Sequence, residues 1–185
     1  KDIPLAETWE ALIECQKMGL TRFIGVSNFS ISKIQALENT TKIKPYINQV
    51  ECHPFLTQND LLAYCKKNDI YFTAYAPLGS SDRPHILKRA NEPNLLNHPT
   101  IQKIAEHRSV SSAQILLAWA INRGAIVIPK STQEKHIENN LKAQHITLTE
   151  EEQATITALN QDYRFVDGQF FEKPNAPYTA EEIWR

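Results

Sequence analysis

Four short apolar runs punctuate this chain, and residues at helical spacing follow each of them. The most sharply patterned run is Ala125 to Thr132, Ala-Ile-Val-Ile-Pro-Lys-Ser-Thr. Ile126, Val127 and Ile128 are apolar and β-branched, as expected of a strand buried on both faces of a parallel sheet. Pro129 ends such a strand, because proline has no N–H to give to the ladder. Ser131 and Glu134 stand at capping-box spacing, so a helix is expected to open at Ser131. Lys130 then falls at the C-terminal end of a strand, beside the free N–H groups of a helix start. Helix dipole and ammonium would act together there on an anion such as a phosphate. A solvated lysine in an ordinary loop fits the same residues equally well.

The other runs are Phe23–Val26, Tyr46–Val50 (interrupted by the amides Asn48 and Gln49) and Ile70–Ala74. Leu5, Trp9, Leu12 and Ile13 mark a helix before the first, with Gly19 where a terminating glycine belongs. Ser30 is placed to cap a helix over 31–37, and Thr57 one whose inner face is Leu61, Leu62, Tyr64 and Cys65. Pro99 suits the first turn of a helix reaching about Arg108. Ser111 with Gln114, and Thr149 with Glu152, are capping-box pairs for two further helices. Residues 81–97 have no steady period and read as a long functional or mobile connection. Beyond Asn160 the chain is aromatic and proline-rich, a tail expected to wrap or cover something. Strands alternating with helices imply an α/β fold with a parallel sheet and right-handed crossovers. Four strands suit half of a (β/α)8 barrel or a small doubly wound sheet. No Gly-x-Gly-x-x-Gly follows any strand, which argues against a Rossmann site.

Composition narrows the function. Twenty basic against 21 acidic residues among 185 leave no strong field, so neither nucleic acid nor an acidic membrane surface is an expected partner. No apolar run approaches the ~18 residues of a membrane span, and no signal peptide is visible. Cys15, Cys52 and Cys65 are odd in number and widely spaced, which suggests free thiols in a reducing cytoplasm. Cys52 and His53 are adjacent, with no second Cys or His at ligand spacing. A structural role is therefore expected for both, and no metal site.

Each strand ends in polar groups: Ser27 and Asn28, Gln49 and Glu51, Tyr75, then Lys130 and Ser131. In a βα barrel such ends converge on one face, where active sites lie. Gly25-Val26-Ser27-Asn28-Phe29, Asn48 to Pro54, Tyr75 to Ser80 and Ile128-Pro129-Lys130-Ser131 together resemble the second half of an aldo-keto reductase. The resemblance runs along nearly the whole chain. It implies a (β/α)8 TIM barrel, with residues 1–160 its second half and 161–185 a C-terminal substrate-loop tail. It also implies NAD(P)H-dependent reduction of aldehydes or ketones, with a small carbonyl compound as partner.

Under that resemblance, Ser27, Asn28 and Gln49 would hydrogen-bond the nicotinamide carboxamide, since amides offer both donor and acceptor. Tyr75 would stack under the nicotinamide ring. Leu78 and Ser80 would lie near the pyrophosphate, and Asp82 would help clasp the cofactor. Lys130, Ser131 and Thr132 would contact the 2′-phosphate and ribose of NADPH, and Asn140 the adenine. His136 stands where the family commonly has arginine. It is shorter, only partly charged near neutrality and lacks the guanidinium fork, so NADP is the implied cofactor and NAD its alternative. Asp162, Tyr163, Arg164, Phe165, Phe170 and Phe171 resemble the loop that lines the substrate pocket.

The family's proton-donating tyrosine, with its lysine, aspartate and histidine, belongs to the first half of the barrel, so no catalytic residue is assigned here. A whole barrel typically needs ~250 residues. The chain, which begins at Lys1, is accordingly expected to be a fragment that needs the missing N-terminal half and is inactive alone. The alternative is a non-catalytic nucleotide-binding or scaffold protein of the same fold.

Overall fold

The computed structural model describes residues 3–81, 83–172 and 179–184. Eight helices are found among them: α1 (Leu5–Lys17), α2 (Ile31–Thr41), α3 (Asn59–Lys67), α4 (Pro99–His107), α5 (Ser112–Asn122), α6 (Glu134–Lys142), α7 (Glu150–Thr157) and α8 (Ala180–Trp184). The strands β1 (Gly25–Ser27), β2 (Ile47–Glu51), β3 (Tyr71–Tyr75) and β4 (Ile126–Val127) form one parallel sheet in that order. This α/β arrangement is consistent with part of a barrel of the (β/α)8 type. Among the described residues, no helix is long and apolar enough to cross a membrane. The chain groups into two compact units.

The first unit holds the chain up to Val50, Asn59–Phe72 and the tail from Asp167. Trp9 and Ile13 of α1 meet Ile24 and Leu37 in a buried cluster, with Val26 and Phe29 packed against it. Leu5 and Leu12, expected on the same face, are exposed instead. Gly19 takes φ +74°, and Leu20 N–H bonds the Cys15 carbonyl at 3.0 Å, closing α1 as a terminating glycine does. The first strand starts at Gly25 rather than Phe23. Phe23 leaves the core to stack on Tyr46 at 4.0 Å between ring centroids, and Tyr46 leans on Tyr71 at 4.9 Å. Glycine at 25 lets β1 approach β2, because a Cβ there would lie 2.2 Å from Ile47 Cγ2. Ser30 caps α2 as expected, accepting from Lys33 N–H, although the helix runs on to Thr41. The described residues of the tail make contacts that its sequence pattern does not reveal. Lys33 Nζ donates to the Ile183 carbonyl at 2.7 Å, satisfying the end of α8, and Trp184 Nε1 donates to the Asp167 carbonyl at 2.7 Å.

The second unit holds Glu51–Gln58 and Thr73–Val166. Its core is α5, buried from Gln114 through Ala120, with α4 and α6 packed on it and α7 on α4. Trp119 is fully buried and satisfies its indole N–H on Thr157 Oγ1 at 3.0 Å. Two of the three expected capping boxes form, Ser111 with Gln114 and Thr149 with Glu152. Two expectations fail. The last strand is only two residues long, and Ile126 and Ile128 are 43% and 47% exposed. β4 lies at the edge of the sheet, so burial on both faces lacks a covering neighbour among the described residues. The helix expected at Ser131 opens only at Glu134, with Gln133 at its cap position. Ser131 Oγ accepts instead from Gln133 N–H at 3.2 Å, a local turn that delays the helix.

Candidate functional site

In the second unit, β3 ends at Tyr75 and the chain then turns sharply, with Ala76, Gly79 and Ser80 all at positive φ. Gly79 is required both by its φ of +86° and by space, since a Cβ would lie 2.9 Å from Leu95 Cδ1. The segment after β4 faces this turn across a cavity of about 550 Å³ lined by Tyr75, Leu78, Ser80, Lys130, Ser131, Thr132 and His136. A neighbouring cavity of about 510 Å³ shares Leu78, Lys130, Ser131 and His136 and adds Lys135, Asn139, Asn140 and the start of α5 at Ser111–Ala113. Eight of the sequence-derived candidates therefore line two adjoining cavities. Asp82 lies outside the described residues.

The charged side chains that line these cavities are basic. Lys130 and Lys135 bring positive charge to the cavities, and the start of α5, at Ser111–Ala113, lines the second. Burial and, after it, the nearby Glu51 carboxylate push the Tyr75 hydroxyl far above its usual range, with Arg164 acting the other way. Tyr75 thus keeps its proton and offers a neutral aromatic plane.

In the first unit, Ser27 ends β1 and donates from Oγ to the Gln49 carbonyl at 2.9 Å. Asn28, at φ +60°, donates its backbone N–H to the same carbonyl at 2.9 Å. Asparagine tolerates this left-handed geometry better than most residues. The task of tying the strand end to the following turn falls to fully buried Asn48, whose Nδ2 donates to the Phe29 carbonyl at 2.9 Å. Asn28 Oδ1 is buried without a hydrogen-bond partner.

Cys52 and His53 are taken up by the fold. Burial pushes the Cys52 thiol up to about 11 against the pull of Arg123, the opposite of an activated nucleophile. His53 Nε2 meets Glu51 Oε1 at 2.8 Å, both side chains fully buried. Among the described residues, no group of three or more His, Cys, Asp or Glu is arranged to hold a metal. Sequence patterning picked out Glu51 as a strand-end polar residue but not its partners, and it missed Val166, which lines the first cavity. Both depend on the tail folding back over a separation of more than a hundred residues, which leaves no local signal.

Comparison with known proteins agrees with this geometry. Residues 1–161 match the aldo/keto reductase family. The chain is 47% identical over 180 residues to an aldo/keto reductase of Synechocystis sp., covering 97% of this chain and 55% of that protein. It is 42% identical over 160 residues to aldo-keto reductase family 1 member A1 of Gallus gallus, covering 86% of this chain and 48% of that protein. With family 1 member C15 of Rattus norvegicus it shares 37% identity over 182 residues, or 97% of this chain and 56% of that protein. The chain spans about half the length of the curated relatives it matches. The cavities bordered by the segments after β3 and β4 and a match over residues 1–161 lead to one assignment: the chain belongs to the aldo/keto reductase family.

Proposed function

We propose that the full-length protein carrying this chain transfers hydride from NADPH, with NADH as the alternative donor, to the carbonyl carbon of a small aldehyde or ketone. This chain is read as the second half of a (β/α)8 barrel. The observation that carries the reading is the cavity in which Lys130, Ser131, Thr132 and His136 adjoin Tyr75, Leu78 and Ser80. Lys130 and Ser131 would hold the adenosine phosphate end, with Thr132 and His136 beside them and Asn140 at the adenine. Asp82 would help clasp the cofactor, on the resemblance alone. Tyr75 would support the nicotinamide ring, and Ser27, Asn28 and Gln49 would grip its carboxamide. The unsatisfied Asn28 Oδ1 supports that last role. Bound there, the nicotinamide supplies the hydride. The chain's own residues would orient it, and orientation of the reacting atoms is worth several kcal/mol of barrier. The proton donor is assigned to the part of the relatives' length that this chain does not span. The tail from residue 161 would shape the carbonyl pocket. Cys15, Cys52 and Cys65 are free thiols, in keeping with a reducing cytoplasm.

The test is consumption of NADPH by the full-length protein with a panel of small aldehydes and ketones. Turnover is expected, and the isolated 185-residue chain should show none. Tight nucleotide binding without turnover would favour a non-catalytic scaffold of the same fold. Absence of nucleotide binding would overturn the proposal.

A further inference from the structure

Three successive tail residues in the second unit are held through their backbones by charged side chains. Fully buried Glu51, last in β2, accepts from Phe165 N–H at 2.6 Å through Oε1 and from Val166 N–H at 3.0 Å through Oε2. His53 Nε2 donates to the same Oε1 at 2.8 Å. His53 Nδ1 has no partner, which fits the tautomer with its proton on Nε2. On the other side, the long connection after β3 supplies two guanidinium groups. Arg83 NH1 donates to the Phe165 carbonyl, and Arg89 NH2 donates to the Arg164 carbonyl at 2.8 Å. Glu92 takes Arg83 NH2 in a two-oxygen grip at 2.5 and 2.7 Å, which fixes the guanidinium. The Phe165 ring is wedged edge-on to His53 at 4.8 Å. Val166, the next residue, lines the 550 Å³ cavity beside Tyr75.

We propose that Glu51 is the positioning residue for the C-terminal tail: by holding the Phe165 and Val166 amides it sets the tail-side wall of the cavity beside Tyr75, with Arg83 bracing the same peptide through its carbonyl. Burying the Glu51 carboxylate is costly, and the cost is offset by three donors, two of them tail backbone amides that an apolar side chain would leave unsatisfied. What it provides is a fixed place for a segment that has no strand or helix of its own. The inference uses the reductase reading for what the wall does, and the geometry alone for what holds it.

Glu51→Gln is the sharpest variant, because it preserves shape. The amide nitrogen must stand where one carboxylate oxygen stood, facing a backbone N–H or the His53 proton, so at least one tail amide is set against a donor or left with a weakened bond. In the full-length protein, hydrogen exchange at the Phe165 and Val166 amides is expected to quicken roughly 10-fold or more, the factor corresponding to loss of one charge-assisted hydrogen bond. The dissociation constant for NADPH should rise severalfold, because Val166 lines the cavity assigned to it, while exchange at the amides of buried α5 stays unchanged. Unchanged exchange would overturn the proposal. So would a parallel quickening of exchange across α5, the mark of general loosening. If Glu51→Gln does not fold, Arg83→Met releases the Phe165 carbonyl and is read in the same way. Should the parent protein prove to have no reductase activity, the functional reading fails, and the exchange measurement still decides whether Glu51 holds the tail.

Discussion

Lys130 and His136 stand one helical approach apart on the cavity rim, and they bear on different parts of the same choice. A lysine ammonium is a compact charge that pairs with a phosphate from any direction, whereas arginine offers a planar fork that both pairs and stacks. On the proposed reading, Lys130 is the main discriminator for the 2′-phosphate. Lys130→Met is therefore expected to weaken NADPH binding by roughly 10-fold or more and NADH binding by less than about twofold, as loss of one charge-assisted contact would. Titration of both nucleotides against the full-length protein measures it, and equal effects would remove Lys130 from the phosphate. His136→Arg restores the fork, so the ratio of NADPH to NADH affinity should rise. A ratio that stayed level would mean that position 136 does not reach the phosphate. Ser27, Asn28, Gln49, Tyr75 and Lys130 stand in or just after strand ends and can be singled out by local pattern, whereas Leu78, Ser80, Asp82, His136 and Asn140 come only from the family resemblance. Their partners are not legible locally: nothing local distinguishes Asn28, with its unsatisfied oxygen, from Asn48, which spends its amide on Phe29.

At the level of elements, what can be read locally is what the neighbours in sequence decide. The capping boxes at Ser111 and Thr149 close over three residues and form as expected. Ser131 has the same spacing to Glu134, yet its hydroxyl serves a two-residue turn and α6 starts late. Glu152 shows an element-scale coupling that spacing alone does not reveal. Besides completing its capping box, it takes Arg108, at the C-terminal end of α4, in two bonds of 2.7 and 2.5 Å. Those bonds, with the Thr149 N–H helping and burial opposing, hold the Glu152 carboxyl down to about 2. The folded value lies below the unfolded one, so the contribution is fully present above the ordinary carboxylate range. It fades as pH falls from about 4.5 towards about 2. Glu152→Gln keeps the cap acceptor and loses the ion pair. It should cost about 1 kcal/mol at neutral pH, as befits a partly exposed pair, and the difference from the parent should vanish near pH 2. Urea melts across pH test this, and a gap that persists in acid would place the effect in packing instead.

For the molecule as a whole, the alternation of strands and helices was readable because each element carries its own period. What covers the outer strands was not, since that depends on residues far away or outside the chain. β1 and β4 are the outer strands of the sheet. Around β4 the second unit exposes a run of large apolar side chains: Ile126 and Ile128 from the strand segment, and Ile137 at 53% and Leu141 at 67% exposure from α6. An edge strand with uncovered apolar neighbours is a template for pairing with another chain. The isolated 185-residue chain is therefore expected to associate, its mean mass by light scattering rising with concentration, while the full-length protein does not behave this way. The contact can be located as well as detected. Ile128→Lys places a charge beside the open edge, the device natural sheets use against pairing, and should return the isolated chain towards monomer. A concentration-independent monomer with a cooperative melt would show that these faces need no cover. Association untouched by Ile128→Lys would move the contact away from β4, and the aromatic pile of Phe23, Tyr46 and Tyr71 in the first unit is the next surface to charge.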